Sequence, residues 1–430
     1  MGLLQRVEKR QAKIAVIGLG YVGLPLAVAF AKAGFHVLGI DIDKKKIEAL
    51  QAGKSYIADV SQEDVGEQVQ RGTLIPSDDY VGLEQADVVV ICVPTPLGKT
   101  QDPDVSYILA VGESIKKYLK PGSLIVLEST TYPGFTREVF FPMLQKSGTD
   151  EFYLAFSPER IDPANRTFTL RNTPKVVGGV SKEATEAAAA LYKAVTERVV
   201  TVSSADAAEM VKLLENTFRA VNIALANEFA VICDRLKLDV WEVIEGAANK
   251  PFGFMPFYPG PGLGGHCIPI DPRYLAWRMQ SLNYRTRLIE LALEINSSMP
   301  RYVVEKVMLA LNEENRPLKG AEILVLGVAY KADVSDTRES PAKTIIALLE
   351  DYGANVSFYD PYVSRLEVEG RVIDGLSSLS DHDLERANCV LIVTGHSTLD
   401  YGRVVSRARL VVDTRNATKG VRGKARIVRL

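Results

Sequence analysis

The sequence predicts an α/β protein in which two doubly wound parallel-sheet domains are joined by a central helical domain. An apolar strand at residues 14–17 leads through a glycine-rich turn into an apolar helix, and a similar strand–helix–strand order starts again at residue 322. Between them, residues 205–236 keep a helical pattern without glycine or proline. We therefore predict domains at residues 1–203, 204–300 and 301–430.

The composition is typical of a soluble globular protein with several domains. A length of 430 residues predicts two to four domains at about 100–200 residues each. A formal charge of -2 excludes a generally basic nucleic-acid binder. The cysteines (Cys92, Cys233, Cys267 and Cys389) lie far apart, which argues against a structural zinc site or a disulfide framework and favours a reducing cytoplasm. We expect no metal.

An uncharged run at residues 14–31 has the length of a membrane span and follows basic residues, as in a signal peptide. It contains Gly18, Gly20, Gly23 and Pro25, which a spanning helix would not favour at these positions. A strand, a turn and a helix explain each of them, so we expect no membrane segment here.

The turn itself, at residues 18–23, reads Gly-Leu-Gly-Tyr-Val-Gly. Between a strand and a helix this spacing indicates a dinucleotide site, because its glycines let a pyrophosphate approach the helix N-terminus. Asp41 ends the next strand, where a carboxylate accepts hydrogen bonds from ribose hydroxyls and repels a 2′-phosphate, so NAD is predicted over NADP. The lysines at residues 44–46 are either a solvated helix start or a phosphate clamp.

Hydroxyls and one carboxylate follow the ends of three further strands. Thr95 follows an apolar strand, Thr130 follows the strand at residues 123–128, and Glu159 follows the strand at residues 152–156. The carboxyl ends of parallel strands share one edge, where ligands bind. Each of the three residues has either a site role or a role in a turn or cap.

Two further segments carry candidate chemistry. Lys212 and Asn216 are four residues apart on the long predicted helix and so share a face, which lies either in solvent or in a cleft. Cys267 lies in a glycine- and proline-rich segment, residues 260–272, in which no regular helix or strand is expected. This segment is either a binding loop with a nucleophile or a surface loop with an incidental thiol.

The repeat that starts at residue 322 lacks the glycine fingerprint after its first strand, so we predict that it holds no second NAD. Lys331 and Arg338 instead place two cations near strand ends. Such cations suit a phosphate, although structural salt bridges are the alternative.

Together the motifs resemble the nucleotide-sugar 6-dehydrogenases of the UDP-glucose/GDP-mannose dehydrogenase superfamily over nearly the whole chain. The resemblance rests on Lys212, Asn216 and motifs at residues 18–23, 93–96, 129–134, 157–160, 264–271 and 331–341. Arg160 and Ile270 are most similar to the branch that acts on UDP-N-acetylhexosamines, especially UDP-N-acetylglucosamine. The resemblance implies two Rossmann-like domains and a four-electron oxidation of the sugar C6 alcohol to a uronic acid with two NAD.

A thiol explains how the oxidation can continue from the aldehyde to the acid. Cys267 is expected to add to the aldehyde, because a thiohemiacetal can lose a second hydride, and water then hydrolyses the thioester. Lys212 and Asn216 are expected to stabilise the oxyanion and to assist the first deprotonation. His266 is expected to point elsewhere, because it is adjacent to Cys267 in the sequence.

The hydrolytic water is expected to be handled by three residues. Glu159 is the favoured general base, and Thr130 and Asp271 help to position the water. Cofactor-binding residues are expected at Gly18, Gly20, Tyr21, Val22, Gly23, Asp41, Lys46, Thr95, Thr130 and Arg338. Substrate-binding residues are expected at Glu159, Arg160, Lys212, Asn216, Tyr258, Gly262, Gly264 and Lys331.

The resemblance also implies a homodimer built on the central helices and a supply of uronates for prokaryotic surface polysaccharide. Several alternatives stay open. The sugar could instead be UDP-N-acetylmannosamine, UDP-N-acetylgalactosamine or UDP-glucose. Two other functions are a one-step NAD-dependent hydroxyacid dehydrogenase and a non-catalytic NAD sensor. The first would need neither Cys267 nor a third domain, and the second would have no need for Cys267, Lys212 and Asn216 together.

Overall fold

The computed structural model describes residues 2–57, 59–98, 102–146, 151–162, 165, 167–265 and 267–430. The chain forms two compact units, one made of Met1–Glu215 with Arg273–Tyr284 and the other of Asn216–Pro272 with Arg285–Leu430. The division into three domains remains a proposal. Parallel-sheet folds in both units and a helical central segment confirm the predicted α/β class.

The first unit is built on one sheet with the strand order β3-β2-β1-β4-β5-β6-β7-β8. Its strands pair in parallel except for β6 with β7. The strands are β1 (Lys13–Ile17), β2 (His36–Ile40), β3 (Leu74–Ser77), β4 (Val88–Ile91), β5 (Ser123–Leu127), β6 (Phe152–Phe156), β7 (Lys175–Gly179) and β8 (Val199–Thr201).

Helices connect these strands. They are α1 (Leu3–Glu8), α2 (Gly23–Lys32), α3 (Lys44–Gln51), α4 (Gln62–Gln70), α5 (Ser106–Ile115), α6 (Phe141–Gln145) and α7 (Lys182–Tyr192). Short 3₁₀ turns lie at Val81–Gln85 and Lys116–Tyr118, and a π-helical turn lies at Thr136–Phe140. The uncharged run at residues 14–31 forms β1, the glycine turn and most of α2, as predicted. Among the described residues, no helix is both long enough and apolar enough to span a membrane.

The helices of the central segment are α8 (Ala205–Leu236), α9 (Val240–Ala248), α10 (Asp271–Ser281) and α11 (Arg287–Asn312). The bounds of α8 agree with the prediction. The sequence predicts a new helix after Pro300, whereas the structure has Pro300 inside α11. Proline removes one helical hydrogen bond, but Met299, Val303 and Val304 around it are buried, and this packing holds the helix together.

The second unit contains a parallel sheet with the order β10-β9-β13-β14-β15 and a separate antiparallel pair, β11 and β12. The strands are β9 (Glu322–Leu326), β10 (Asn355–Tyr359), β11 (Arg365–Val368), β12 (Arg371–Asp374), β13 (Cys389–Ile392), β14 (Leu410–Asp413) and β15 (Arg426–Arg429). The helices beside them are α12 (Pro341–Asp351), α13 (Asp381–Arg386) and α14 (Tyr401–Arg407). The predicted second strand–helix–strand repeat is therefore present.

Candidate active site

The turn after β1 has the shape that a dinucleotide pyrophosphate needs. Gly18 has a φ of +89°, and a Cβ there would lie 2.7 Å from the carbonyl oxygen of Cys92. A Cβ on Gly23 would lie 1.8 Å from the carbonyl oxygen of Gly18. Among the described residues, apart from Gly20 itself and its two chain neighbours, no atom lies within 4 Å of the Cβ position of Gly20. Gly18 and Gly23 therefore close the turn while Gly20 leaves room for a ligand, so the turn fits NAD.

Asp41 lies directly after β2, is 7% exposed, and is fastened to this turn. Its Oδ2 accepts a hydrogen bond from the backbone N–H of Leu19 at 2.9 Å, and its Oδ1 accepts one from Asp43 at 2.9 Å. The Nζ of Lys46 also lies 3.0 Å from Oδ2. Lys46 therefore pairs with the carboxylate predicted to bind ribose. Tyr21 and Val22 lie in the turn itself, with Tyr21 37% exposed.

The loops after β4 and β5 present two hydroxyl groups. Among the described residues, the hydroxyls of Thr95 and Thr130 have no hydrogen-bond partner, so both can bind a ligand. The backbone around them is held in place. The hydroxyl of Ser129 donates to the carbonyl of Val93 at 2.6 Å, and the hydroxyl of Tyr274 donates to the carbonyl of Thr95 at 3.0 Å.

Glu159 follows β6 and contacts the start of α8. The Nζ of the buried Lys212 donates to the carbonyl oxygen of Glu159 at 2.7 Å, so Lys212 does not face solvent. The Glu159 carboxylate accepts backbone N–H groups from Arg160 and Ile161. Burial alone would raise the pKa of Glu159, but the cation of Lys175 and the backbone N–H of Ile161 outweigh burial and lower it. Glu159 is therefore held as a carboxylate.

Arg160 is already engaged by the protein. Its guanidinium forms two hydrogen bonds with Glu215 of α8 and donates to the carbonyl of Pro174 at 2.8 Å. The predicted contact of Arg160 with substrate remains a proposal. The pairing with Glu215 fastens the turn at residues 159–161 to α8.

Sequence reasoning missed the buried partners of Glu159. Lys175 begins β7, and its Nζ lies 2.7 Å from Oε2 of Glu128 and 3.3 Å from Oε2 of Glu159. The other oxygen of Glu128 accepts the hydroxyl of Tyr192. Glu128 directly follows an apolar strand and Lys175 begins another, and a charge at such a position is the signal that could have revealed them.

In the second unit, the loop around Cys267 is tied to two helices by a buried amide network. The backbone N–H of Gly260 donates to Oδ1 of Asn227 on α8 at 2.9 Å. Nδ2 of Asn227 donates to Oδ1 of Asn296 on α11 at 2.9 Å, and Asn296 in turn donates to the carbonyl of Ala220 at 2.9 Å. Both asparagines are almost fully buried, so this network fixes where the loop starts.

Close backbone approaches hold the middle of the loop. A Cβ on Gly264 would lie 2.7 Å from Cβ of Tyr330, and the N–H of Gly265 donates to the carbonyl of Arg338 at 3.0 Å. Gly262 lies against α11, where its Cβ position is 3.4 Å from the carbonyl oxygen of Asn296. The glycines therefore pack the loop against the segment that carries Lys331 and Arg338.

Cys267, Asp271 and Asn216 are brought together at the end of this loop. The carbonyl of half-buried Cys267 accepts the N–H groups of Ile270 at 3.0 Å and Asp271 at 2.8 Å, which starts α10. Oδ2 of Asp271, a residue that is 1% exposed, accepts Nδ2 of Asn216. All four cysteines carry thiols. His266 lies outside the described residues.

The remaining predicted contacts belong to the second unit. The guanidinium of Arg338 pairs with Asp336 at 2.6 Å, and Lys331 is half-buried after β9. The ring of Tyr258 stacks on Trp241 at 5.8 Å between ring centroids.

Sequence reasoning missed Arg415, whose Nη1 lies 2.6 Å from the Cβ position of Gly260. Burial lowers the pKa of Arg415 to about 10, which marks an incompletely solvated cation beside the loop.

Three family models cover most of the chain. The NAD binding domain of the UDP-glucose/GDP-mannose dehydrogenase family matches residues 12–196. The central domain of the same family matches residues 206–298, and its UDP binding domain matches residues 324–420. The glycine turn therefore lies in the matched NAD binding domain, and Cys267 lies in the matched central domain.

Curated relatives and solved structures agree with this assignment. The chain is 35% identical over 418 residues to a UDP-N-acetyl-D-mannosamine dehydrogenase from Methanococcus maripaludis, covering 94% of this chain and 92% of that protein. It is 37% identical over 360 residues to a UDP-N-acetyl-D-glucosamine 6-dehydrogenase from Pseudomonas aeruginosa, covering 83% and 84%. A solved UDP-D-ManNAc dehydrogenase from Pyrococcus horikoshii superposes with a TM-score of 0.88 at 34% identity, covering 97% and 98%. The chain therefore belongs to the UDP-glucose/GDP-mannose dehydrogenase family and is an NAD-dependent nucleotide-sugar dehydrogenase.

Proposed function

We propose that the protein oxidises the C6 primary alcohol of a UDP-N-acetylhexosamine to the uronic acid through a covalent intermediate on Cys267. The observation that carries the proposal is a half-buried cysteine, Cys267, in a loop held by close glycine contacts, with its backbone carbonyl hydrogen-bonded to Asp271, the partner of Asn216. A two-electron alcohol oxidation needs no such nucleophile, whereas a four-electron oxidation does.

NAD held by the turn at residues 18–23 and Asp41 would supply the hydride acceptor for each of the two oxidations. In the first of them the proton of the C6 hydroxyl passes to solvent water, and Lys212 and Asn216 assist by donating hydrogen bonds to the oxygen that loses it. The thiolate of Cys267 then forms a C–S bond with the aldehyde carbon, and Lys212 and Asn216 stabilise the resulting oxyanion with hydrogen bonds. Each such donor typically contributes about 10²–10³ in rate. Loss of the second hydride converts the thiohemiacetal into a thioester.

Hydrolysis of the thioester completes the reaction. Water adds to the thioester carbon while one of its protons moves to the carboxylate of Glu159, and the C–S bond breaks to release the acid and the Cys267 thiolate. A base must be ionised before it can accept a proton, and the lowered pKa of Glu159 supports this role. Thr130, whose hydroxyl is available to a ligand, and Asp271 help to position the water.

Replacing the nucleophile tests the mechanism. We expect Cys267→Ser to stop formation of the uronic acid while NAD and UDP-sugar still bind, because only the covalent step is lost. Acid can be measured by chromatography and binding by calorimetry. The wild-type enzyme should form two NADH for each acid. Cys233→Ala, which removes a buried thiol from α8, is the control and should keep this ratio.

Two results would contradict the mechanism. Undiminished acid formation by Cys267→Ser would show that the thiol is not required. A ratio of one NADH for each oxidised molecule in the wild-type enzyme would instead favour a one-step hydroxyacid dehydrogenase.

The second part of the proposal is the identity of the sugar in the substrate. Arg160 and Ile270 favour UDP-N-acetylglucosamine, the sugar in the name of the Pseudomonas aeruginosa relative. UDP-N-acetylmannosamine is the second candidate, because the relatives from Methanococcus maripaludis and Pyrococcus horikoshii carry its name. Measuring kcat/KM for both sugars, UDP-N-acetylgalactosamine and UDP-glucose decides between them. UDP-glucose as the best substrate would refute the hexosamine assignment.

A further inference from the structure

Two acidic groups and one cation share a buried site behind the turn at residues 159–161. The side chains of Glu128 and Lys175 are 0% and 4% exposed, and that of Glu159 is 12% exposed. Nζ of Lys175 lies between the two carboxylates, 2.7 Å from Glu128 and 3.3 Å from Glu159. Isolated charges are rarely buried this deeply, so the three groups form one electrostatic unit.

The position of Lys175 is fixed from several sides. Its ammonium lies 5.2 Å from the ring centroid of Tyr192, whose hydroxyl donates to Glu128. Glu128 lies at the end of β5, and its own N–H donates to the carbonyl of Ile91 at 2.9 Å. Lys175 is therefore held by the sheet and by α7 at a distance from which it attracts the charge of Glu159.

Both carboxylate oxygens of Glu159 are held by the protein, and 12% of the side-chain surface stays exposed. Oε1 accepts the N–H groups of Arg160 and Ile161, whereas Oε2 is held by Lys175. The charged and titratable groups that face it are Lys175 on β7, Glu128 after β5, Lys212 on α8 and Cys92 after β4, and Tyr192 on α7 faces Glu128 and Cys92. Within the part of the chain that the structure describes, Lys175 is the cation whose nitrogen pairs with its carboxylate, at 3.3 Å.

We infer that Lys175 is a positioning residue that keeps Glu159 ionised and oriented for thioester hydrolysis, with Glu128 as the buried counter-group that holds Lys175 in place. This inference rests on the proposed role of Glu159 as the general base. In the hydrolysis step the water proton moves to Glu159, so a Glu159 that is already protonated cannot act.

The protonation states fit this arrangement. The cluster is electrically neutral when one of its two carboxyl groups carries a proton. Burial raises the pKa of Glu128 to about 7 even though Lys175 opposes the rise, whereas the pKa of Glu159 is lowered. Below about pH 7 the proton of the pair therefore resides on Glu128, and Glu159 keeps the charge that hydrolysis needs.

Two variants separate charge from packing. Lys175→Met and Glu128→Gln both change the contact between Lys175 and Glu128, but only Lys175→Met removes the cation that lies 3.3 Å from the Glu159 carboxylate. We expect the acid limb of thioester hydrolysis to move to higher pH by about 1–3 units in Lys175→Met, because the largest influence that opposes burial at Glu159 is then lost and only weaker ones, such as the N–H of Ile161 and the charge of Lys212, remain. In Glu128→Gln the amide oxygen can still accept a hydrogen bond from Lys175 and hold it in place, so the limb should stay or move to lower pH. Lys175→Arg should keep the wild-type profile.

The measurement follows the covalent intermediate itself. Wild-type and variant holoenzymes are mixed with UDP-N-acetylglucosamine or UDP-N-acetylmannosamine, whichever the wild-type enzyme oxidises faster. Decay of the acyl adduct on Cys267 is then followed by quenched intact-protein mass spectrometry across a pH series. Formation of the adduct should change little in Lys175→Met, so the defect should lie in its decay.

The outcomes distinguish this inference from the proposed function. If Glu159→Gln hydrolyses the adduct at the wild-type rate, Glu159 is not the base. If Glu159→Gln blocks hydrolysis but Lys175→Met keeps the wild-type pH profile, Glu159 remains the base and the role of Lys175 is refuted. A shift to higher pH in Glu128→Gln would also refute it, and this arm does not depend on whether Lys175→Met folds.

Discussion

At the scale of the residue, Glu209 is a single carboxylate that joins α8 to the loop after β5. It is fully buried and accepts hydrogen bonds from the hydroxyl of Thr131 at 3.1 Å and from the N–H of Gly134 at 2.7 Å. Thr136 donates to it through its N–H at 2.9 Å and its hydroxyl at 2.6 Å. Glu209 therefore fixes the loop that presents Thr130.

The burial of Glu209 predicts a pH-dependent stability. Burial raises its pKa from 4.5 to about 7, although its hydrogen bonds oppose the rise. Between these values the folded protein holds a proton that the unfolded chain has lost, so this stability is full below about pH 4.5 and is lost as pH rises through about pH 7. Compared with Glu209→Gln, the wild-type protein should lose at most about 3 kcal/mol between about pH 5 and pH 8.

Thermal unfolding of both proteins across this pH range measures the effect. Glu209→Gln places an NH₂ group near one of the donors, which lowers the free energy of unfolding by the same amount at every pH. The informative quantity is therefore the slope of stability against pH, compared between the two proteins. Glu186→Gln, whose side chain is 54% exposed on α7, is the matched control and should follow the wild-type slope. Parallel curves for wild-type and Glu209→Gln would contradict the prediction.

Residues of this kind mark where reasoning from sequence stops. The glycine turn could be recognised because strand, turn and helix are contiguous. Glu209 meets partners 73 to 78 residues away, and Lys175 meets Glu128 47 residues away. No local sequence pattern indicates contacts between residues so far apart in the chain. The sequence therefore predicted Glu159 and Lys212 as catalytic residues but not the buried groups that hold Glu159.

At the scale of the element, the buried amides of α8 and α11 hold the start of the Cys267 loop. Asn227→Leu would leave the N–H of Gly260 and Oδ1 of Asn296 without their partner. Each unsatisfied buried group costs about 1–3 kcal/mol. We expect a lower melting temperature and faster amide hydrogen exchange across residues 260–265, measured by mass spectrometry.

A second asparagine provides the comparison. Asn249 is exposed after α9 and donates to the carbonyl of Glu245 at 2.9 Å, so Asn249→Leu removes one surface hydrogen bond only. It should leave exchange across the loop unchanged. If Asn227→Leu also leaves it unchanged, the amide network does not hold the loop.

The position of a long helix was easier to predict than whether a helix continues through a proline. The bounds of α8 follow from its sequence because a long run without glycine or proline has few alternatives to a helix. The passage of α11 through Pro300 does not follow, because tertiary burial of the residues around the proline offsets the lost hydrogen bond. Local propensity thus sets where helices are probable, and packing decides where they end.

At the scale of the whole molecule, α8 carries apolar side chains that its own chain leaves exposed. They recur at helical spacing and include Phe218 (48% exposed), Leu225 (52%), Phe229 (44%), Ile232 (41%) and Leu236 (62%). A continuous apolar stripe of this kind is typical of a protein–protein interface. We propose that a second copy of the chain covers it, which agrees with the homodimer expected from the sequence.

A charge on this stripe tests the dimer. Phe229→Glu would bury a carboxylate without a partner in the interface, and such a charge costs far more than the lost apolar contact. We therefore expect the wild-type protein to have the mass of a dimer in light scattering and Phe229→Glu to have the mass of a monomer. Tyr352→Glu adds the same charge at a residue that is 49% exposed at the end of α12, and it should remain dimeric. A dimeric Phe229→Glu would show that the second copy binds elsewhere, because an interface on α8 cannot tolerate that charge. A monomeric wild-type protein would show that there is no dimer.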